Sequence, residues 1–418
     1  AISVFARNLD SLFMAPPIPY RNAIGMDPGI RTGIKTAVLD KDGRFICNTV
    51  LYMHNEASKD KSVSLLAGII KKYGIGAIGV GTGTGSKEAF AIAQKAAAMA
   101  GGDIITALVD EAGASVYSAS DIAREEFPDL DVTVRGAISI GRRLQNPLAE
   151  LVKTDPRSIG VGQYQHDVDQ KKLREELERV IQKCVNSIGV DINTASYSIL
   201  SKISGLTEKT ARNIVAYRGE NGFFRDRSQI KKVKGIGPKA FEQCAGFLRI
   251  REGVNPLDST RVHPEAYSLV EEIASDLGAS VRDMIGNASL IGMIDPDRYS
   301  GEKIGRHYIE SIAEDLRYPA RDPRKEFRAA RFLDGIDSIE DLREGMELEG
   351  RVTNVTNFGA FIDIGVHQDG LCHISKMADS YVRNPADIAK AGDIFRVRVL
   401  SADPYKKRIS LQMLGKAD

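Results

Sequence analysis

The stretch from 345 to 412 constrains the fold of this chain more than any other. Gly345-Met346-Glu347-Leu348-Glu349-Gly350-Arg351-Val352 opens it, and Gly359-Ala360-Phe361-Ile362-Asp363-Ile364-Gly365, Val397-Arg398-Val399-Leu400 and Arg408-Ile409-Ser410-Leu411 follow. Apolar and polar residues alternate with a period of two, and glycines separate the runs. Short, evenly spaced strands of this kind close into a small barrel rather than an open sheet. Phe358, Phe361, His373 and Arg408 recur at spacings suited to one exposed face of that barrel. Aromatic rings beside a cation are how single-stranded bases are stacked and held.

The barrel is a small part of 418 residues, and a chain of this length holds two to four domains. Hydrophobic residues make up 43%, enough for packed cores rather than disorder. The net charge of +1 hides an uneven distribution. Residues 184–252 carry twelve Lys or Arg against six acids, so this stretch is +6 and the remainder −5. A local basic surface on a neutral chain is the electrostatic footprint of a nucleic-acid binder. Cys47, Cys184, Cys244 and Cys372 are far apart and show no metal-binding spacing. They read as buried, reduced thiols of a cytoplasmic protein. No apolar run is long enough to span a membrane, and Arg7 and Asp10 interrupt the N-terminal apolar stretch, which excludes a signal peptide. Ala1 opens in the middle of a helical pattern, which suggests a fragment or cleaved chain.

Residues 1–21 read as a helix and a rigid Pro16-Pro17-Ile18-Pro19 link. Beyond it, strands are expected at 23–27, 34–39, 45–51, 77–81 and 104–109, with helices at 61–73 and 86–100. Periodicity alone gives an α/β domain. Gly79-Val80-Gly81-Thr82-Gly83-Thr84-Gly85-Ser86-Lys87 follows a strand and opens a helix, but fits neither dinucleotide nor P-loop spacing. It reads as an anion-holding turn in the cleft beside Asp27, or as a loop that needs positive φ. Asp27, before Pro28-Gly29, stands at the end of the first strand, where Asp is also ordinary turn chemistry.

Two segments of the basic stretch share one pattern, Ile203-Ser204-Gly205-Leu206-Thr207 and Val233-Lys234-Gly235-Ile236-Gly237-Pro238-Lys239. Each reads as a short helix, a tight turn holding an apolar residue, and a second helix. Glycines let the turn take positive φ so that amides point outward together, and the helix that follows adds N–H donors. Lys234 and Lys239 flank the second turn and can meet the same phosphate. Such a device grips backbone, not sequence. In the first turn Thr207 replaces the second glycine, so that turn reads as a structural copy or a second grip.

These segments resemble known families. Residues 345–412 resemble the S-one RNA-binding domain, an OB-fold barrel, in which the residues matching Phe358, Phe361, His373 and Arg408 contact bases, with Asp403 as acidic neighbour. The paired turns resemble helix-hairpin-helix elements of the ComEA-type DNA receptors. Three hairpin-like strands followed by α, β, α, β have the order of the ribonuclease H-like fold. There Asp27 matches the first metal ligand, and Glu111 matches the second acid of the YqgF type. Asp155 or Asp167 would supply a third ligand from a late helix. With Gln163-Tyr164-Gln165-His166-Asp167-Val168, Val262-His263-Pro264-Glu265 and Asp322-Pro323-Arg324 between them, the whole order resembles the Tex family of bacterial transcription accessory proteins.

The resemblance implies a multidomain α/β plus all-α plus all-β chain. Its parts are an N-terminal helix and link at 1–21, a YqgF/ribonuclease H-like domain at 22–168, and tandem helix-hairpin-helix elements at 169–253. A second helical domain at 254–330, a linker at 331–343 and an OB-fold barrel at 344–414 complete it, with a further N-terminal helical region missing. It implies a monomeric factor that binds RNA and DNA with little sequence preference and no required cofactor. The competing readings are a resolvase-like nuclease using Mg²⁺ at Asp27 and Glu111, and a scaffold docking on RNA polymerase or ribosome through 256–330.

Overall fold

The computed structural model describes residues 2–18, 21–161, 165–301, 304–319, 322–324, 336, 338–366, 368–378 and 381–417. Gln163 and Tyr164, and residues 331–335 and 337 of the linker expected at 331–343, lie outside the described residues. The chain divides into two compact units, residues 1–180 with 325–418, and residues 181–324.

The first unit opens with α1 (Ile2–Phe13), which buries Phe5, Leu9 and Phe13 along one stripe. Strands β1 (Asn22–Asp27), β2 (Ile34–Leu39) and β3 (Phe45–Leu51) then run antiparallel in succession. Helix α2 (Glu56–Tyr73), β4 (Ile75–Gly81), α3 (Ser86–Ala100) and β5 (Ile105–Val109) follow. The sheet order is β3-β2-β1-β4-β5, with β4 parallel to both β1 and β5. This is the ribonuclease H-like arrangement. Helix α2 begins five residues before its expected start. Asn55 caps it, accepting a 2.8 Å bond from the Ser58 amide, while Ser58 Oγ accepts from the Asn55 amide. A capping box outweighs the weak apolar pattern of that first turn.

Helices α2 and α3 cover one face of the sheet, where Leu66, Ile70, Ile92 and Ala96 pack against Ile24, Met26, Ile78 and Val80. Each fully buried Ile or Leu contributes about 1.5–3 kcal/mol. Short helices α4 (Ala114–Ala119) and α5 (Asp121–Glu126) lead to α6 (Val132–Gln145) and α7 (Pro147–Leu151). The α6 helix packs on the opposite face, against the small residues Ala23, Ala37 and Ala77. The contact is backbone to backbone: a Cβ on Gly25 would meet Ala137 O at 1.9 Å and Gly141 N at 2.5 Å. Helix α8 (Gln170–Ile188) carries the chain into the second unit.

That unit starts with β6 (Val190–Asp191), α9 (Tyr197–Leu200), α10 (Glu208–Asn221), α11 (Pro238–Cys244) and β7 (Leu248–Arg249). Strands β6 and β7 pair in parallel and bring the two ends of the hairpin region together. Helices α12 (Tyr267–Asp276), α13 (Val281–Met284), α14 (Ala288–Gly292), α15 (Pro296–Tyr299) and α16 (Arg306–Arg317) complete it around Val270, Ile273, Ile309, Ile312 and Leu316. The hairpin region and these helices share one compact unit, and Arg227, 1% exposed, ties them. Its Nε donates to Leu248 O at 2.8 Å, and its Nη atoms donate to Val262 O, Thr260 O and the Tyr267 hydroxyl, each at 2.7 Å. Asp258, also buried, accepts from the Arg227 amide at 3.0 Å and from the Tyr267 hydroxyl at 2.7 Å.

The first unit resumes with β8 (Glu347–Thr356), β9 (Gly359–Asp363), β10 (Gly370–His373), α17 (Pro385–Ile388), β11 (Ile394–Asp403) and β12 (Arg408–Lys416). These strands close in the order β10-β12-β11-β8-β9 around Val352, Ile362, Val397, Val399 and Leu411. Closure removes the open edges that would otherwise invite pairing with other chains. Burial pushes the Cys244 thiol up to about 12 and the Cys372 thiol up to about 11, whereas Cys47 is only half-buried. Among the described residues, no helix is long and apolar enough to cross a membrane.

Candidate nucleic-acid interface

The two hairpin turns are built on the same plan. Gly205 (φ +83°) and Gly235 (φ +88°) take the left-handed conformation that a side chain resists, and Leu206 and Ile236 then turn into the core. Ile236 is 5% exposed and its amide is spent on Val233 O at 3.1 Å. Ile236 therefore anchors the turn and offers a ligand neither side chain nor donor, which corrects its expected place among the binding residues. Gly237 does not need positive φ either. It caps α11 in extended conformation (φ −85°), as Thr207 caps α10 (φ −115°). Thr207 is thus no departure from the plan. Its hydroxyl closes a capping box with Thr210, whereas Gly237 leaves the first-turn amides of α11 without a side-chain cap.

In the second turn Gly235, Gly237, Lys234 and Lys239 are all exposed. The turns also seat on one another. A Cβ on Gly205 would meet Gln243 Cβ of α11 at 2.6 Å, and one on Gly235 would meet Thr210 Cγ2 of α10 at 3.3 Å. Asn213 of α10 donates to Lys234 O at 2.7 Å. The +6 charge overstates the usable field. Arg227 is spent inside the fold and Arg218 donates to Ile192 O.

On the barrel, strand alternation sorts the expected residues. Ala360 and Ile362, Cys372, and Ile409 and Leu411 point inward, so Phe361, Leu371 and His373, and Arg408 and Ser410, point outward. Phe361 lies opposite Leu371, and Leu371 opposite Ser410. Phe361 is half-covered, with Phe358 leaning on it edge-on, ring centroids 6.1 Å apart. Phe358 is 50% exposed, and its carbonyl accepts from the Ile374 amide at 2.8 Å, which ties its turn to the end of β10. Gly359 is required there, since a Cβ would meet Cys372 O at 2.2 Å. Phe358, Phe361 and His373 gather at one end of the outer face, with exposed Arg408 further along it.

In the α/β region, Asp27 lies at the end of β1 and Glu111 just beyond β5. Burial, then the Glu111 charge, raises Asp27 from 3.8 to about 6. Glu111 is also raised by burial, although the Gly83 amide donates to it. A Cβ on Gly81 or Gly83 would meet a Glu111 carboxylate oxygen at 2.7 or 2.6 Å. Gly81 and Gly83 thus leave room for the Glu111 carboxyl, and Gly85 takes the positive φ (+89°) that the loop needs. The helix facing Asp27 is α6, which presents Gly136, with a Cβ there 2.8 Å from Asp27 Oδ2, and carries no acid. Asp155 instead caps a 3₁₀ turn and pairs with Arg157 at 2.6 Å, and Asp167 stands beside His166 at 3.4 Å. Among the described residues no three His, Cys, Asp or Glu side chains gather as a metal site. The expected third ligand is not brought to Asp27 and Glu111, and these residues do not fit a three-acid two-metal site.

Comparison with known proteins matches four family models in order along the chain. They are the Tex protein YqgF-like domain at residues 21–145, the helix-hairpin-helix motif at 185–249, the HHH domain at 255–324, and the S1 RNA binding domain at 341–414. Protein YhgF of Escherichia coli (strain K12) is 50% identical over 416 residues, covering 99% of this chain and 53% of that protein. Transcriptional accessory protein Tex of Neisseria gonorrhoeae is 49% identical over 414 residues, covering 99% and 54%. Protein tex of Bordetella pertussis (strain Tohama I) is 48% identical over 415 residues, covering 99% and 52%. The chain belongs to the Tex family.

It spans about half the length of the curated Tex relatives it matches. Within this Tex chain the acidic pair makes a measurable prediction. Below 3.8 Asp27 is neutral whether folded or unfolded; above about 6 it is ionised in both states and the fold bears the full burial penalty. The stability contributed by the neutral carboxyl is therefore lost as pH rises through that window. Asp27→Asn should stabilise the protein by about 1–2 kcal/mol near pH 8 and change it little near pH 4. Urea unfolding at the two pH values checks this, and an equal effect at both would refute it.

Proposed function

We propose that this chain is a nucleic-acid-binding transcription accessory factor that holds single-stranded RNA on its barrel and a phosphate backbone at its second hairpin. The observation that carries the reading is the outward row of Phe358, Phe361 and His373 on a closed barrel, with Arg408 further along the same face. Two rings meeting edge-on offer one exposed stacking platform, His373 adds a polar edge, and Arg408 a cation for the backbone or a further base. The hairpin seat adds sequence-independent contacts through Lys234 and Lys239 and the uncapped start of α11. Cationic side chains and amides supply the charge, so this grip needs no cofactor. Transcription is the setting given by the name of the Neisseria gonorrhoeae relative, Transcriptional accessory protein Tex.

Replacing Phe358 and His373 together by Ala should weaken single-stranded RNA binding tenfold or more, since each stacked base contributes about 1–3 kcal/mol. A filter-binding titration reads it, and an affinity equal to the parent protein's would overturn the reading.

A further inference from the structure

We propose that the cavity bordered by the end of α1, strand β5, helix α6 and strand β8 binds a small organic acid, whose carboxylate lies across Nε and Nη2 of Arg143 and whose apolar body fills the space. The site uses none of the residues assigned above to the barrel's outer face or to the hairpin turns, and it goes beyond the function proposed for them. The cavity belongs to the first unit and has a volume of about 190 Å³. A cavity of about 150 Å³ admits a benzene ring, so this one holds a ring with a substituent. Leu12, Leu108, Leu144 and Val352 line it. Among the described residues its wall carries two cations, Arg143 and Arg351, against one acid, Asp110.

Arg143 is the decisive residue. It stands on α6, is 4% exposed, and spends only Nη1 inside the fold, donating to Asp110 O at 2.8 Å and to Ala112 O at 2.7 Å. Its Nε and Nη2 have no hydrogen-bond partner among the described residues. A buried guanidinium with donors left over bears a desolvation cost that an acceptor would remove. Both unused donors lie on one edge of the planar group, the edge that takes a carboxylate in fork geometry. The chain shows that geometry elsewhere: Arg157 grips Asp155 with Nε at 3.0 Å and Nη2 at 2.6 Å.

The acids around Arg143 are engaged in other ways. Glu150 pairs with Lys153 at 2.9 Å, Asp110 Oδ1 accepts from the Ala112 amide at 2.8 Å, and Glu111 accepts from the Gly83 amide. Burial lowers the Arg143 pKa, and the charges of Glu150, Asp110 and Glu111 oppose that shift, so the group stays a cation. An apolar chamber with a charged fork in its wall selects an anion with an apolar body. A bare inorganic anion leaves the leucines uncovered, and a neutral apolar molecule leaves the fork unanswered. Arg351 reaches in from β8, with Nη1 3.5 Å from Leu108 O, so a bound acid touches the α/β region and the barrel together.

Methyl NMR and calorimetry on the full chain test this with benzoate, benzamide and phenyl phosphate. Benzoate should shift the methyl signals of Leu12, Leu144 and Val352 saturably, with a dissociation constant of about 1 mM or tighter. Benzamide has the same shape without the charge and should bind at least tenfold more weakly. Phenyl phosphate separates a carboxylate site from a general anion site: weaker binding than benzoate supports the assignment, and equal or tighter binding overturns it. Arg143→Lys keeps the charge but loses the fork, and should weaken benzoate about tenfold. Ala15, also on the wall, gives a variant that leaves Arg143 in place. Ala15→Leu narrows the chamber and should abolish benzoate binding at the parent's melting temperature, which keeps the test standing if Arg143→Lys fails to fold. Shifts confined to other methyls, equal binding of benzamide, or a benzoate affinity that survives both substitutions overturns the site. So does the lack of any saturable shift, which would mean that water alone answers Arg143.

Discussion

Replacing Arg227 by Met is expected to cost residues 181–324 about 3–5 kcal/mol of stability, which approaches the whole stability of a small domain. The guanidinium supplies four hydrogen bonds to groups on three separate segments, Leu248, Thr260 with Val262, and Tyr267. A thioether of similar volume fills the space and answers none of them. Three carbonyls and a hydroxyl would lose their donor in a dry interior, and the buried Asp258 carboxylate would lose its nearest cation. Arg227→Lys should recover part of the loss, because one ammonium restores the charge but cannot match the planar fork. Hydrogen exchange of the amides in α10 and α12 with urea unfolding reads the effect. A Met variant within about 0.5 kcal/mol of the parent would mean that the network contributes little.

The second large effect is expected in the α/β region. Gly25→Ala places a methyl 1.9 Å from Ala137 O and 2.5 Å from Gly141 N, and both obstacles are backbone. No rotamer change relieves such a clash, so α6 must lift from the sheet, at a cost of about 3 kcal/mol or more. Gly141→Ala, by contrast, meets the Leu39 Cδ1 methyl at 2.7 Å and backbone only at 3.0 Å, at Gly25 N, and should cost less. The lifted helix would also uncover Asp27, because Gly136 of α6 lies over its carboxylate. The Asp27 carboxyl should then titrate nearer its ordinary 3.8 than the about 6 of the intact fold. Thermal unfolding ranks the two variants, and carboxyl-carbon NMR follows Asp27. A Gly141 variant less stable than the Gly25 variant would contradict this packing.

Much of the architecture was legible because period and turn chemistry agree. β2, β3 and α3 begin and end where alternation and Gly turns place them. The start of α2 was hidden because a capping pair, not an apolar stripe, sets it. At the hairpins the Gly-Ile-Gly signature was visible, but the different tasks of its three residues were not. Only the dihedral angles separate a left-handed Gly235 from an extended Gly237. Arg227 was counted with the phosphate-facing cations because sequence gives charge and not direction; Asp226, Asp258 and Tyr267 around it offered no periodic cue. The third acid was sought by chain position, and the decisive fact was spatial: the helix packed on Asp27 presents glycine. That Glu111 fills the glycine loop had a visible sign, four glycines spaced two apart over 79–85 with no Lys at the phosphate-binding spacing.

The reciprocal seating of the hairpins has a mechanical consequence. Gly205 rests on α11, and the turn at Gly235 is fastened to α10 through Asn213, so each prong is the other's floor. A pull applied at Lys234 passes directly into α10 with no hinge in between. The two prongs move as one stiff jaw whose gape is set when the chain folds, not when something enters it.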